Sequence, residues 1–177
     1  MSPRRKSARR SRCIGNSGRL PLSKDWTHNY ATPANTYCSE DPLVKGPFGV
    51  LWYGEPGPRK GIERHATPPM PLVVNGAMFT IGYDRVMAYD VYNGLCYWER
   101  ELEGATRQHL PLNTSNLAAD DSSLFIVTGN RRCLRLDART GATLKSYELA
   151  KTGRAEPYWA WVARDGKARK CWRVSTS

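Results

Sequence analysis

Long apolar runs are missing from this sequence of 177 residues, and that absence excludes one class of protein at once. No stretch approaches the roughly 18 consecutive apolar residues that a membrane-spanning helix requires, so no membrane span is expected. The charged residues 1–12 are not followed by the apolar core of a signal peptide, and no export signal is recognised. The localisation of the protein is therefore left open.

Motifs of catalysis and metal binding are equally scarce. There is no GxSxG turn, no HExxH zinc site, no phosphate-binding loop and no CxxCH haem site. The five cysteines are scattered: Cys13, Cys38, Cys96, Cys133 and Cys171. Because CxxC pairs and His/Cys clusters are missing, no metal site is expected. The scattered spacing predicts free thiols that serve as small buried apolar side chains. A disulfide between Cys96 and Cys133, on neighbouring strands, is the alternative.

Positive charge is abundant, but it is confined to the two ends. The 27 Lys and Arg outnumber the 16 Asp and Glu, which gives a net charge of +11. Residues 1–12 hold six basic residues and no acid, residues 151–177 hold seven against two acids, and residues 13–150 are balanced. We expect a basic, solvated, disordered arm at 1–18 and a basic tail at 167–177. Nucleic-acid binding, the alternative for the arm, would use only that N-terminal segment.

The middle of the chain repeats itself with a period of 44–47 residues. Residues 75–102 align with residues 121–149, and Asp90 precedes its counterpart Asp137 by 47 residues. The second copy is one residue longer, in the turn at 129–131. Internal similarity at such a period is the mark of a repeat architecture.

Each repeat unit reads as four short strands. Runs of five to seven residues rich in Val, Ile, Tyr and Phe are separated by turn residues such as Asn75-Gly76 and Asn93-Gly94. Helical periodicity is absent there. Four antiparallel strands repeated at this length predict a propeller blade. The expected fold class is all-β, a partial β-propeller with about two complete four-stranded antiparallel blades and partial flanking blades. Within 19–166, the blade units are placed near 25–53, 70–102, 117–149 and 158–166.

One stretch of the first unit resembles a known repeat. Residues 88–98 read AYDVYNGLCYW, which is similar to the A-x-D-x-x-x-G-x-x-x-W motif of pyrroloquinoline-quinone-like, or quinoprotein-type, β-propeller repeats. Residues 136–141 read LDARTG and resemble a second copy, in which Lys145 stands where the tryptophan is expected. The resemblance covers roughly residues 25–166. It implies an incomplete propeller of that family.

The residues of this motif also have a structural interpretation. Asp90 can accept hydrogen bonds from backbone amides across its turn. Gly94 supplies a positive φ angle that other residues adopt only at a cost. The resemblance implies that Trp98 packs between neighbouring blades, and that the third blade unit, which has Lys145 in place of tryptophan, binds its neighbour less firmly. The structural motif residues are Trp52, Asp90, Gly94, Trp98, Asp137 and Gly141.

Two loops between blades carry the candidate ligand-binding residues. The loops run from 54 to 69 and from 103 to 115, and each connects the last strand of one blade to the first strand of the next. In a complete ring they could converge on an anionic ligand such as a quinone carboxylate or a phosphate. Solvated loop charge is the alternative. The candidate residues are Arg64, His65, Arg107 and His109.

The resemblance implies two classes of function. The first is a non-catalytic propeller scaffold or interaction module, like the bacterial propeller lipoprotein of outer-membrane barrel assembly. The alternative is part of a quinone-dependent or redox-linked enzyme whose catalytic residues lie outside this chain. Closed propellers need about four to eight blades, so we expect a fragment of a larger protein whose partners are the missing blades or other protein chains. No catalytic residue and no cofactor are expected on this chain alone. Pyrroloquinoline quinone would bind only in a complete propeller. Members of the family are usually exported.

Overall fold

The part of the chain that the structure describes is built almost entirely from short strands. The computed structural model describes residues 18–55, 57–61, 69–106, 116–151, 157–164 and 171–174, the last as backbone only. The strands are β1 (Leu72–Val74), β2 (Ala77–Gly82), β3 (Arg85–Asp90), β4 (Cys96–Glu101), β5 (Leu117–Ala119), β6 (Ser123–Thr128), β7 (Arg132–Asp137), β8 (Thr143–Glu148), β9 (Tyr158–Val162) and β10 (Cys171–Val174). One helical turn, α1, covers Gly57–Lys60. Within these described ranges, no helix has the length and apolar character to cross a membrane.

The strands form three antiparallel sheets in sequence order. Strands β1 to β4 make the first four-stranded sheet, here called blade A, and β5 to β8 make the second, blade B. Strands β9 and β10 make a two-stranded sheet, the partial blade C. The all-β fold with two complete four-stranded units is therefore confirmed. The exact limits of the units stay a prediction.

Strand β10 lies within the segment that the sequence analysis assigned to a basic tail. Its backbone pairs with β9, with Cys171 opposite Val162 and Trp172 opposite Trp161. Trp and Val are strand-forming residues, which explains why this part of the tail joins a sheet despite its basic neighbours. The N-terminal arm, apart from its last residue Gly18, lies outside the described residues.

The two blades share their strand register in detail. In both blades the pairing of the third with the fourth strand shifts at the same step, after Ala88 in blade A and after Arg135 in blade B. Lys145 lies opposite Arg135, as Trp98 lies opposite Ala88. The longer turn of the second copy is found between β6 and β7, where the sequence places it. The repeat read from the sequence is therefore a repeat of structure.

Blades A and B pack face to face around one apolar core. Most of its fully buried members come from the inner three strands of both blades, among them Leu72, Phe79, Val86, Leu117, Leu124 and Leu136. Burying one such side chain stabilises the fold by about 1.5–3 kcal/mol. The outer strands β4 and β8 are mostly exposed. The core therefore lies towards the inner edge of the blades, as expected for wedges arranged around an axis.

A second apolar cluster connects blade B to blade C. Phe125, Val127 and Cys133 of blade B pack against Trp159 and Val162 of β9. The buried Cys133 fits the expectation that thiols serve as small apolar side chains. The expectation is wrong for Cys38 and Cys96.

Cys38 and Cys96 are exposed. Cys96 lies in the solvent-facing outer strand β4. No disulfide joins these two thiols or Cys133 in the described part of the chain. The proposed pairing of Cys96 with Cys133 is therefore excluded.

A segment before the first blade crosses the inner strands of both blades. This segment, residues 25–31, is here called the inner segment. Trp26 pairs with Val73 of β1 through two backbone hydrogen bonds of 2.7 and 2.9 Å. The amide of Ala119 in β5 donates to the carbonyl of Thr27 at 3.0 Å. The inner segment therefore ties blade A to blade B at their inner edges.

Candidate functional site

The clearest built site of the molecule is the contact between a tryptophan and the glycine turn of the following unit. The half-buried indole of Trp52 lies directly over Gly94, which leads into β4 of blade A. A Cβ atom on Gly94 would fall 2.7 Å from Cδ2 of that ring, so only glycine fits. The indole Nε1 donates a hydrogen bond of 2.8 Å to the carbonyl of Val91. We call this pair of contacts a docking contact.

The same docking contact recurs one blade further on. The indole of Trp98 lies over Gly141, where an added Cβ would be 2.7 Å from Cε3. Its Nε1 donates to the carbonyl of Ala138 at 3.0 Å, and Ala138 follows Asp137 as Val91 follows Asp90. Trp52 and Trp98 therefore contact the blade that follows each of them in the same way. The structure places Trp98 between blades A and B and places Trp52 against blade A; the wider role predicted for the motif residues stays a prediction.

The aspartate of each motif organises the turn on which the tryptophan docks. In blade A, Oδ1 of the fully buried Asp90 accepts the amide of Tyr92 at 2.8 Å, and Oδ2 accepts the hydroxyl of Tyr97 at 2.9 Å. Burial, together with the hydrogen bond to Asp90, raises the pKa of Tyr97 to about 12. Tyr97 is therefore a permanent donor at neutral pH. Gly94 ends the turn with a φ of 73°.

In blade B the hydroxyl group that binds the motif aspartate comes from a threonine in the turn, whereas in blade A it comes from a tyrosine in β4. Oδ1 of Asp137 accepts hydrogen bonds from the amide of Arg139 at 3.0 Å and from the amide and hydroxyl of Thr140, both at 2.9 Å. These bonds, the Thr140 hydroxyl first, hold the pKa of Asp137 below its ordinary value. Gly141 follows with a φ of 71°. Both aspartates are thus committed to shaping turns.

Lys145 occupies the third tryptophan position, and its environment differs from that of the two tryptophans. Its ammonium group lies 5.1 Å from the ring centroid of Tyr147, on the same exposed strand β8. A cation over a ring at this distance is weakly attracted. Blade B therefore presents a polar, flexible side chain where blade A presents an indole plate.

The four candidate ligand-binding residues, Arg64, His65, Arg107 and His109, lie outside the described residues, so their convergence stays a prediction. The described ends of their two loops can be located. Gly61 pairs with Gly82, and the amide of Gly104 donates to Oδ1 of Asp84 at 3.0 Å. Both loops therefore meet blade A at the same end, beside the turn between β2 and β3.

A polar cleft that the sequence analysis missed opens at the corresponding end of blade B. It has a volume of about 520 Å³ and includes in its lining Glu103, Arg131, Arg132, Glu148 and Tyr158. Arg131 donates to the carbonyl of Leu149 at 2.7 Å. The extra residue in the 129–131 turn was the available clue. With basic and acidic groups side by side, the cleft suits polar ligands but specifies none.

The described ranges also bear on metal binding. No group of three or more His, Cys, Asp or Glu side chains in that part of the chain is arranged to hold an ion. The glutamate closest to cations, Glu99, is engaged by Lys60 at 2.6 Å and by Arg85. The Lys60 hydrogen bond, followed by that of Arg85, lowers the pKa of Glu99. This exposed cluster ties the helical turn α1 to β4.

Comparison with known proteins gives structural neighbours only. No family model matches the sequence, and no curated protein matches it. A europium-containing methanol dehydrogenase superposes with a TM-score of 0.53 and 21% identity, over 72% of this chain and 23% of that one. BamB from Moraxella catarrhalis has a TM-score of 0.38 and 19% identity, over 47% and 25% of the two chains. A quinohemoprotein alcohol dehydrogenase from Comamonas testosteroni has a TM-score of 0.36 and 20% identity, over 45% and 12%.

Of these neighbours, only the methanol dehydrogenase superposes well enough to support an inference. At 21% identity the likeness concerns the fold alone. The chain spans a quarter or less of the length of each of these three structures. Together with its two four-stranded antiparallel sheets, the likeness shows that the chain is a partial β-propeller.

Proposed function

We propose that this chain is a non-catalytic scaffold or interaction module of pyrroloquinoline-quinone-like repeats, part of a larger propeller that other blades complete. Support for the repeat type comes from the A-x-D-x-x-x-G-x-x-x-W motif at 88–98 and from the docking contact of its tryptophan. The interaction role rests on residues 48–53, which dock on blade A through Trp52 but belong to no sheet in the described part of the chain. We call these residues the open strand segment.

The open strand segment lies where the outer strand of a further blade would lie. Its Trp52 makes the same docking contact on blade A that Trp98, on β4, makes on blade B. In blade A the strand β4 is paired with β3. Among the described residues, no strand pairs with residues 48–53. The segment therefore lies where an outer strand would lie, but the described part of the chain provides no neighbouring strand for it to pair with.

The exposure of its side chains is far above that of their counterparts in a complete blade. Leu51 is 71% exposed, whereas Tyr97 at the matching position of β4 is 38% exposed. Tyr53 is 94% exposed. Phe48 and Val50 are also largely exposed. Contiguous apolar exposure of this kind marks an interaction site.

The geometry of blade A indicates what would cover this segment. A β3-type strand would pair antiparallel with it and give affinity through backbone hydrogen bonds, as in strand addition generally. In blade A the residue opposite Trp98 is the small Ala88. We therefore propose that the partner is the inner three-stranded meander of a further propeller blade, with a small residue opposite Trp52.

This proposal can be tested by offering the full chain such a meander. The probe is a copy of this protein's own residues 69–92, which contain β1 to β3, fused to a soluble carrier. We expect saturable binding by calorimetry. Leu51→Asp should weaken that binding at least about tenfold, a loss of about 1.4 kcal/mol, because a carboxylate would be buried at the new sheet.

The matched control is Tyr83→Asp, which places the same charge on a side chain that is also exposed but lies in the turn between β2 and β3. This variant should bind like the parent chain, and the carrier alone should not bind. The interaction role is refuted by absence of saturable binding, or by equal losses in the two variants. Self-association of the chain through Leu51 and Tyr53, seen as a concentration-dependent mass, would point to a second copy as the occupant instead.

A further inference from the structure

His28 stands at the point where three parts of the molecule meet. It belongs to the inner segment, and only 2% of its surface is exposed. Its backbone pairs with Ala118 of β5 in blade B. Its ring accepts a hydrogen bond of 2.9 Å from the amide of Arg164, which follows β9 of blade C. One side chain thus connects residues that are 136 positions apart in the sequence.

The hydrogen bonds fix the protonation state of this ring. A backbone amide can only donate, so Nε2 of His28 carries the lone pair and the ring proton is on Nδ1. Nδ1 lies 2.7 Å from Oγ1 of Thr27, to which it donates. The Thr27 hydroxyl in turn lies 3.5 Å from the carbonyl of Ala31 and donates towards it. Only the neutral tautomer satisfies every member of this chain.

We propose that the ring of His28 is an acid-sensitive latch that holds the end of β9 in blade C to the inner segment. Protonation places a second N–H on Nε2, pointing at the N–H of Arg164. The two donors repel, and a buried donor left without an acceptor carries a desolvation penalty. Uptake of a proton therefore opens the junction between β9 and the inner segment.

The charged groups around the ring do not offset this effect. Among the described residues, the charged groups on the segments that meet at His28 are Arg164, which is paired with Asp120 at the β5 end of blade B, and Asp25, which is paired with Arg19. The inner strands β1 and β5 that border the segment contain only apolar residues, and β9 contains none that is charged at neutral pH. Burial alone lowers the pKa of His28 to about 4.

The direction of the pH dependence follows from that lowering. Histidine in the opened state has an ordinary pKa of about 6.5, above that of the closed state. The open form therefore binds protons first as the pH falls, and closure is lost progressively between about pH 6.5 and about pH 4. Above pH 6.5 the latch is fully closed.

Amide hydrogen exchange of the full chain tests this latch. After correction for intrinsic exchange rates, the opening constant of residues 157–164 should rise about twentyfold from pH 7 to pH 5. His28→Gln keeps an acceptor for the Arg164 amide but does not titrate, so its opening constant should stay constant. Asp120→Asn removes the carboxylate that pairs with Arg164 and should retain the rise.

Three results would overturn the latch: unchanged protection in the parent chain, the same rise in His28→Gln, or loss of the rise in Asp120→Asn. The third would assign the effect to the ion pair. Should His28→Gln fail to fold, NMR titration of the His28 ring in the parent chain replaces it. A titration midpoint near 6.5, or one that leaves the Arg164 amide signal unmoved, contradicts the proposal.

Discussion

At the scale of single residues, the docking contacts depend on two glycines, because no other residue leaves room for the indole ring. Gly94 and Gly141 lack the Cβ that would overlap the indole rings of Trp52 and Trp98. Both glycines also adopt positive φ angles, which other residues reach only at a cost. Two separate requirements therefore select glycine at each position, and they can be separated by mutation.

The chain contains a control glycine for this purpose. Gly129 has a φ of 56°, but nothing lies within 4 Å of the Cβ that alanine would add. Gly129→Ala should cost about 1 kcal/mol of unfolding free energy through the backbone alone. Gly141→Ala should cost about 3 kcal/mol, because it also displaces the Trp98 ring. Urea unfolding measures both.

Equal losses in the two alanine variants would show that the indole is not held against Gly141. Gly94→Ala offers a further comparison, since its Cβ would meet Trp52 in the same way. Its effect should follow that of Gly141→Ala in sign. A retained near-ultraviolet circular dichroism spectrum in Gly129→Ala confirms that the control keeps its tryptophan environments.

At the scale of elements, each blade is one repeat unit. The outer strand β4 of blade A pairs with β3 of its own blade and also contacts blade B through Trp98. The inner three strands contribute most of the core, whereas β4 and β8 are mostly exposed. The outer strand is held by pairing with the third strand and by its docking tryptophan. Where the tryptophan is replaced, as by Lys145 in β8, the second of these attachments is lost. The weaker attachment expected for blade B on this side stays a prediction, and blade C packs there through Trp159 and Val162 instead.

The two docking tryptophans should differ in their contribution to stability. Trp98 lies on a paired strand, contacts Phe79 of the core with a ring-centroid distance of 6.2 Å, and joins two complete blades. We expect Trp98→Ala to cost about 3–5 kcal/mol. Trp52→Ala should release mainly the open strand segment and cost about half as much.

Denaturant unfolding and hydrogen exchange together check this difference. In Trp52→Ala, faster exchange should be confined to residues near the open strand segment, while blades A and B keep their protection. In Trp98→Ala, protection should fall across the interface between the blades. Equal unfolding losses with the same exchange pattern would contradict a role for strand pairing in the two contacts.

At the scale of the whole molecule, the described chain has the partial blade C at one end of its two complete blades and the open strand segment at the other. Ligand capture in a propeller needs groups that converge from several blades, and preorganised convergence is what offsets the entropy of binding. Two blades leave such a site open to water, which screens each charged contact. We therefore expect the isolated chain to bind a cofactor weakly.

This reasoning predicts the response to pyrroloquinoline quinone. The isolated chain should not bind the quinone tightly, and it should oxidise no alcohol or sugar when quinone and calcium are supplied. Isothermal titration calorimetry measures the binding. Micromolar or tighter affinity, lost on Arg64→Ala or Arg107→Ala, would contradict the scaffold function and favour the alternative of a quinone-dependent enzyme.

The sequence by itself determined the repeat and the local turns. Strand lengths, the Asn-Gly and Asp-x-x-x-Gly turns, and the extra residue between β6 and β7 follow from backbone preferences that act within a few residues. The spacing of Trp52 from Trp98 also predicted two equivalent contacts, because a repeated sequence folds into a repeated structure. These features are local or periodic, and they need no knowledge of distant neighbours.

Only the tertiary structure decided which distant groups meet. The inner segment was not recognised as a tie across both blades, because its pairing partners Val73 and Ala119 lie far along the chain. Nor did any pattern place the ring of His28 against the amide of Arg164. Hydrogen bonds between residues so far apart depend on how blades pack, and packing is a property of the whole chain that no local preference encodes.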